Sequence, residues 1–94
     1  MATFVMFGKY STKAMKGFSK ERTAEANALV QKCGGQVKAV YALLGETDIL
    51  VIADFPGTAA AVKASVALAG LTGIRFVTSP AMTVDEFDRL ITEL

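Results

Sequence analysis

Residues 37–55 carry the pattern that decides the fold. They read VKAVYALL over residues 37–44 and DILVIADF over residues 48–55, with Gly45-Glu46-Thr47 between the two runs. Both runs are rich in β-branched and other apolar residues, and the connection is short enough for a β-hairpin. Pro56 then interrupts the second run. We therefore predict two adjacent antiparallel strands in this part of the chain.

A strand and a helix are predicted before this hairpin. Residues 3–10 read TFVMFGKY, a β-rich apolar run. A polar segment follows and becomes helical at Ser19, a fitting N-cap, and the helix continues to Cys33. Gly34-Gly35 supplies a left-handed stop. The helix has one apolar stripe, so we expect it to lie on a sheet with its other side in water.

A helix and a strand are predicted after the hairpin. Thr58 is a suitable N-cap for an Ala-rich helix that continues to about Leu71, and Gly73 marks its end. Residues 74–79 read IRFVTS and form a fourth strand, which Pro80 ends or places at a sheet edge. The order strand-helix-strand-strand-helix-strand predicts an α+β, ferredoxin-like fold, with a four-stranded antiparallel sheet and two helices on one face.

A short helix is predicted at the C-terminus. Thr83 and Glu86 have the spacing of a capping box, and Met82 and Phe87 occupy the positions of a hydrophobic staple. Five apolar residues share one face of this helix: Val84, Phe87, Leu90, Ile91 and Leu94. This apolar face needs a surface to pack against.

The central strands are apolar on both faces, which indicates a partner. A sheet with helices on one side only should carry polar residues on the other side. Here Leu50 and Ile52 lie on the face opposite that of Val51, and on the first strand Val5 and Phe7 lie on the face opposite that of Phe4 and Met6. Leaving such side chains in water forfeits roughly 1.5–3 kcal/mol each. We therefore predict a homodimer or higher homo-oligomer in which two sheets meet face to face and close a dimeric α/β barrel.

A monomer is the rival arrangement, with the C-terminal helix folded back over the open face of its own sheet. One short helix covers too little of a four-stranded sheet, so the dimer is preferred. The C-terminal helix is then free to embrace the partner.

The composition indicates one compact domain, residues 1–94. Of the residues, 52% are hydrophobic and 20% are charged, which excludes a disordered chain. Ten Lys and Arg against nine Asp and Glu give a formal charge of +1, so no nucleic-acid partner is expected. The chain has no His, which excludes His-dependent catalytic triads and His-ligated metal sites.

Location and cofactors are predicted from what the sequence lacks. Cys33 is the single cysteine, and a lone thiol favours a reducing compartment. The N-terminus has no basic start for a secretory signal, and the apolar stretch 59–71 is shorter than the roughly 20 residues that cross a bilayer. We expect a cytoplasmic protein without a membrane partner. No CxxC, GxGxxG or Walker loop occurs, so no metal and no cofactor are expected.

Four residues are candidates for a ligand site: Tyr10, Arg22, Tyr41 and Asp48. Asp48 either accepts backbone hydrogen bonds that hold the hairpin or presents a carboxylate at a cavity rim, where it binds a cation or acts as a base. The two phenols either donate hydrogen bonds to a ligand or only pack their rings. Arg22 lies near a helix N-terminus and is the preferred anion-binding residue.

The hairpin also resembles that of a known family. Gly45-x-x-Asp48 enters an apolar strand, as in the small GYD-domain proteins, whose hairpin usually reads Gly-x-Tyr-Asp; Thr47 stands where the family has tyrosine. The likeness extends over nearly the whole chain and includes Gly8-Lys9-Tyr10 after the opening strand. It implies a dimeric α/β-barrel fold and leaves the activity open. The hairpin is also similar to that of the ligand-binding domain of leucine-responsive regulators, where small molecules bind between subunits.

Three functions remain as hypotheses. The first is a homodimer that binds a small apolar or anionic ligand in a cavity rimmed by Tyr10, Arg22, Tyr41 and Asp48. The second is a cofactor-free enzyme of the dimeric α/β-barrel type, an oxygenase or isomerase that uses Asp48 or a tyrosine for proton transfer. The third is a purely structural oligomeric protein without an enclosed pocket.

Overall fold

The structure, a computed structural model, describes all 94 residues and contains four strands and four helices. In chain order these are β1 (Ala2–Tyr10), α1 (Thr12–Lys16), α2 (Lys20–Lys32), β2 (Gln36–Ala42), β3 (Ile49–Phe55), α3 (Thr58–Thr72), β4 (Ile74–Ala81) and α4 (Val84–Thr92). The predicted order of elements is confirmed, and α1 is an additional short helix.

The strands form one antiparallel sheet in the order β2-β3-β1-β4. The central strand β1 pairs on one side with β3 and on the other with β4, so that Phe4 lies opposite both Ala53 and Pro80. At the far end of β1, Tyr10 lies opposite Ile74. The predicted α+β, ferredoxin-like fold is therefore confirmed.

The hydrophobic core lies between one face of the sheet and the helices α2 and α3. The rings of Phe4 and Phe55 meet edge to face, with centroids 5.8 Å apart. Small residues of α3 allow this helix to lie close to the strands. The core consists of nine buried residues: Phe4, Met6, Val30, Val51, Ala53, Phe55, Ala61, Ala64 and Leu68.

Both ends of α2 follow the sequence prediction. The Ser19 hydroxyl accepts a hydrogen bond from the Arg22 N–H at 3.0 Å, which satisfies one free donor of the first turn. At the C-terminal end, Gly34 has a φ of 83°. Its N–H and that of Gly35 donate to the carbonyls of Gln31 and Val30, which is the Schellman arrangement.

Three predicted boundaries are wrong by a few residues. Gly57, not Thr58, is the N-cap of α3, and it makes no side-chain capping bond. The loop of the hairpin spans residues 43–48 and is closed by a 2.8 Å hydrogen bond from the Leu43 N–H to the Asp48 carbonyl. Pro80 lies inside β4, which continues to Ala81. β4 pairs with β1 alone, so the alternative that Pro80 lies at a sheet edge is confirmed, and its missing N–H is tolerated there.

The second face of the sheet carries no helix and is apolar, as predicted. Directly opposed residues share a face, so the registers define one row of Tyr41, Leu50, Phe7 and Val77 and a second row of Ala39, Ile52, Val5 and Ser79. We call these eight residues the open face. Val77 is 69% exposed and Tyr41 is 56% exposed.

The terminal helix α4 has the predicted cap and no buried residue. The Thr83 hydroxyl accepts from the Glu86 N–H at 3.1 Å. The apolar side chains of α4 are about half exposed or more, because the helix projects from the end of β4. The radius of gyration is 14.2 Å, compared with about 12 Å for a compact chain of this length. None of the four helices has both the length and the apolar character needed to cross a membrane.

We predict that Gly73→Ala destabilises the fold by about 1–3 kcal/mol. Gly73 has a φ of 77°, and an added Cβ would lie 2.7 Å from Ser11 Oγ and 3.1 Å from the Ala14 nitrogen. Gly70→Ala is the matched control, because nothing lies within 4 Å of its Cβ position in α3. This control should stabilise by about 0.5–1 kcal/mol. Urea denaturation of the two variants checks both signs, and equal midpoints would contradict the described α3–β4 junction.

Candidate functional site

A cavity of about 550 Å³ lies between the sheet and residues 18–30, which run from the connection between α1 and α2 into α2, and the C-terminal part of α3 also lines it. Twelve of its 17 lining residues are hydrophobic, so its walls suit an apolar molecule. Exposed lining residues, among them Phe18 and Val40, place its mouth at the protein surface. The apolar walls are Phe18, Ala24, Ala26, Val30, Val37, Val40, Ile49, Val51, Leu68, Ile74 and Phe76.

The polar side chains of the cavity come mainly from the start of α2. Arg22 and Lys20 supply positive charge, and Thr23 and Asn27 supply hydrogen-bonding groups. Tyr10 joins them from the end of β1. The lining includes no Asp and no Glu, so the charge presented to a bound molecule is positive. This combination fits a ligand that is largely apolar and carries one anionic or hydrogen-bond-accepting group.

Arg22 is held in place by two contacts. Its guanidinium donates a 2.7 Å hydrogen bond to the carbonyl oxygen of Ala14, in α1. Its central carbon lies 4.8 Å from the centre of the Phe18 ring, which in turn meets the Tyr10 ring at 5.0 Å. A guanidinium has five N–H donors, so several remain for a ligand after the bond to Ala14. The arginine is therefore half-buried, oriented and still able to bind an anion.

The short helix α1 is what positions Arg22, and the sequence analysis missed it. Ser11 caps this helix by accepting a 3.1 Å hydrogen bond from the Ala14 N–H, and the chain leaves it at Gly17. Ser11 and Gly17 are residue types that commonly begin and end helices, and they were the only sequence signal for α1. A five-residue helix has too few apolar positions to show a helical period.

Asp48 connects the hairpin to β1. Its carboxylate accepts a 2.8 Å hydrogen bond from the Tyr10 N–H, and its own N–H donates to the Gly8 carbonyl at 2.9 Å. The carboxylate thus accepts a backbone N–H, as one of the two interpretations predicted, although the donor lies in β1 and not in the hairpin. Asp48 does not line the cavity.

Tyr41 lies on the open face, where it is opposite Leu50. Regular alternation from Val37, which lines the cavity, would have placed Tyr41 on the cavity side. The register shifts between Val37 and Ala39, so a bulge inserts one extra residue and reverses the face of every later residue in β2. Val40 consequently lines the cavity in place of its neighbour.

The expectation that four side chains rim one cavity is therefore wrong in its geometry. The structure brings Tyr10 and Arg22 together at the cavity, places Asp48 behind the end of β1, and places Tyr41 on the other face of the sheet. Sequence reasoning also missed Phe18 and Lys20 as lining residues. Ligand binding by any of the four stays a prediction. No cluster of three or more Cys, Asp or Glu has the geometry to hold a metal ion.

Comparison with known proteins identifies the family. A family model described as the GYD domain matches residues 4–91. The chain belongs to the GYD-domain family. Among curated proteins, nothing matches this GYD domain significantly.

A solved structure gives a second likeness. The crystal structure of the Mycobacterium tuberculosis leucine response regulatory protein, LrpA, is similar with a TM-score of 0.58 over 87% of this chain, at 10% sequence identity. The match covers 51% of the LrpA chain, so this GYD domain spans about half the length of that protein. At this level of identity the likeness shows a common fold.

We predict that Asp48→Ala lowers the free energy of unfolding by about 1–3 kcal/mol, because it leaves the half-buried Tyr10 N–H without an acceptor. Asp48→Asn should lose less, since an amide oxygen can still accept that bond. Glu46→Ala is the control in the same loop, where the side chain makes no hydrogen bond, and it should change stability by less than about 0.5 kcal/mol. Chemical denaturation measures all three variants. An unchanged free energy of unfolding for Asp48→Ala would show that this hydrogen bond does not contribute to stability.

Proposed function

We propose that this GYD domain is a homodimeric small-molecule-binding module, and that its ligand occupies the cavity between the sheet and residues 18–30. The observation that carries this proposal is the pairing of an apolar cavity of about 550 Å³ with an oriented arginine at its rim. Ligand cavities in proteins are commonly of this size and combine apolar walls with a few converging polar groups.

The lining favours a ligand with an apolar body and one anionic group. The body would lie against the walls formed by Val30, Val51 and Leu68. The anionic group would meet Arg22 and Lys20, since no carboxylate of the protein competes for these cations in the cavity. Tyr10 adds a hydroxyl that can donate to the same group.

The open face supports the dimer. Four apolar side chains in its first row, from Tyr41 to Val77, lie side by side across all four strands. The accessible surface of the chain is 6407 Å², whereas a compact monomer of this mass exposes about 5200 Å². The excess of about 1200 Å² belongs to the whole chain, including the projecting α4, and it is larger than the roughly 800 Å² that each partner buries in a standard interface. Two sheets packed face to face would remove the apolar rows of the open face from water.

A fold-back of α4 over its own open face would cover less. A nine-residue helix is about 14 Å long and about 10 Å wide. The sheet is about 14 Å wide between the axes of its outer strands, and β1 alone is about 30 Å long. A second sheet matches this area, and one helix does not.

The enzymatic alternative has less support in the geometry. Asp48, its candidate base, is engaged with the Tyr10 N–H and does not line the cavity. Tyr41 lies on the other face of the sheet. Of the residues assigned to proton transfer, only Tyr10 lines the cavity, whereas binding uses every polar group that the lining presents.

We predict that the protein binds decanoate more tightly than decanol, by about tenfold, because the carboxylate gains a charge-assisted hydrogen bond to Arg22. Arg22→Gln should bring the two dissociation constants together, whereas Lys63→Gln, on the exposed surface of α3, should preserve their ratio. Isothermal titration calorimetry provides the measurement.

A second pair of variants separates loss of the site from loss of the fold. Ala24 and Ala28 are both exposed on α2, and Ala24 lines the cavity whereas Ala28 does not. Ala24→Phe should weaken decanoate binding by about tenfold or more through loss of space, and Ala28→Phe should leave it unchanged. Equal binding by both variants, or no binding by the unmodified protein, would count against this cavity as the ligand site.

We also predict that Val77→Lys converts the dimer to a monomer, because it would place two charges between the packed sheets. Val66→Lys is a closely matched control: Val66 is 68% exposed and Val77 is 69% exposed in the single chain, but Val66 lies on α3. Sedimentation equilibrium should show a dimer for the control and a monomer for Val77→Lys. A monomeric unmodified protein at all concentrations would refute the dimer itself.

A further inference from the structure

Helix α4 is amphipathic, with an apolar side and an acidic side. Its exposed apolar side chains include Phe87, Leu90 and Ile91. Residues 83–94 carry four acidic side chains against the single cation of Arg89. The helix has a formed N-terminal cap and still buries none of its residues. Exposure of such an apolar face to water is unfavourable, so docking on a surface that is itself apolar and basic would stabilise α4.

One surface of the molecule has this complementary character. The segment from α1 to the start of α2 exposes Met15 and Phe18, at 58% and 54%. Around them the stretch 9–22 carries five cationic residues against the single acidic Glu21. We call residues 13–20 the basic platform. It offers what α4 lacks, an apolar contact bordered by positive charge.

The chain's own α4 does not reach its own basic platform. α4 follows Ala81, which lies opposite Thr3, whereas the platform follows Tyr10, at the other end of β1. These two ends of β1 are about 24 Å apart along the strand. The helix is about 14 Å long and is joined to β4 by Met82 and Thr83 alone. Lys13 also donates to the Gly70 carbonyl at 3.1 Å, which ties the platform to the C-terminal end of α3, close to the start of β4 opposite Tyr10.

We propose that α4 of each subunit docks on the basic platform of a second copy of this chain. The proposal rests on the face-to-face dimer proposed above and fixes its orientation. The two-fold axis must run across the strands, so that the Ala81 end of one sheet lies against the Tyr10 end of the other. Phe18 and Lys20 line the cavity on the helix side of their sheet, so α4 of the partner must cross the roughly 10 Å between the sheets and pass about as far again around the end of β1. The helix, about 14 Å long, and its two-residue connection, about 7 Å long, together span this distance. A two-fold dimer then contains this contact twice.

The docked helix also lies beside the ligand cavity. Phe18 and Lys20 belong to the basic platform and line the cavity, so α4 of the partner approaches the mouth of the site. Each cavity is then completed by the other subunit. In this arrangement the apolar side of α4 meets the side chains of Met15 and Phe18, and Asp88, at the border of that side, lies near Lys16 and Lys20.

Charge exchange in the full-length chain tests this contact. One variant carries Asp85→Lys and Asp88→Lys, and the other carries Lys16→Glu and Lys20→Glu. Each variant alone opposes like charges in both contacts of its homodimer, so its dimer dissociation constant should rise about ten- to a hundredfold. A mixed dimer pairs opposite charges in both contacts. The heterodimer should therefore dominate an equimolar mixture well beyond the statistical one-half in native mass spectrometry.

A control and an apolar variant complete the test. Lys63→Glu changes the same charge on α3, away from the platform, and should leave the dissociation constant unchanged. Phe87→Ala removes the largest apolar side chain of α4 and should weaken the dimer by about a hundredfold, whereas Phe87→Leu should weaken it far less.

The outcomes separate this contact from the dimer on which it rests. If the unmodified protein is a monomer, the proposed dimer fails and α4 docking fails with it. If the unmodified protein is a dimer but the charge variants mix statistically and Phe87→Ala has no effect, the sheets pair and α4 docking is refuted. A dominant heterodimer, with the Lys63→Glu control unchanged, supports docking on the second copy.

Discussion

The sheet is apolar on both faces, while its helices lie on one face only. This constraint follows from the strands themselves, where Val5 and Phe7 alternate with Phe4 and Met6 along β1. On the helix side, the alternation fills a core of nine buried residues. On the other side it leaves two rows of mostly apolar side chains that no helix covers, of which Phe7, Tyr41 and Val77 are exposed. A chain that places so much apolar surface outside its own core has an energetic reason to associate.

The cavity exists because small side chains leave part of the space between the sheet and α2 unfilled. α2 contributes Ala24 and Ala26 to the lining of the cavity, and alanine leaves space that Leu or Phe would fill. Unfilled apolar space forfeits contacts, so a ligand that occupies it recovers packing energy that the chain does not supply. The polar end is built differently, since Arg22 is fixed by the Ala14 carbonyl and the Phe18 ring before any ligand arrives. Such preorganisation reduces the entropic cost of binding.

Hydrophobic periodicity and the residues that start and stop helices and strands predicted the fold. The site depended on a strand bulge and a long-range hydrogen bond, which neither signal reveals. Ser19 and Gly34 mark the ends of α2 because capping chemistry is local, and their neighbours in sequence are their partners in the structure. The face of the sheet on which each later residue of β2 lies depends on a bulge between Val37 and Ala39, and no residue in that stretch predicts a bulge. This single insertion moved Tyr41 to the open face. Asp48 was assigned to its own hairpin, but its partner is Tyr10, 38 positions earlier, and such pairings arise only when the sheet has formed.

The proposed docking of α4 on a second copy would couple assembly to ligand binding. If α4 of one subunit closes the cavity of the other, the complete site exists in the dimer and is open in the free chain. Each ligand that binds a closed cavity more tightly than an open one then stabilises the dimer by the ratio of its two affinities, once for each of the two cavities, and dimerisation raises the ligand affinity of each cavity by the same ratio. Arg22 and Lys20 have an additional part in this coupling, since the acidic helix of the partner and an anionic ligand approach the same cations. A bulky or dianionic ligand would compete with α4 for these charges and weaken the dimer, whereas a slender monoanion would fit beneath the helix and strengthen it. Whether a ligand strengthens or weakens the dimer therefore depends on whether it and α4 can contact Lys20 at the same time.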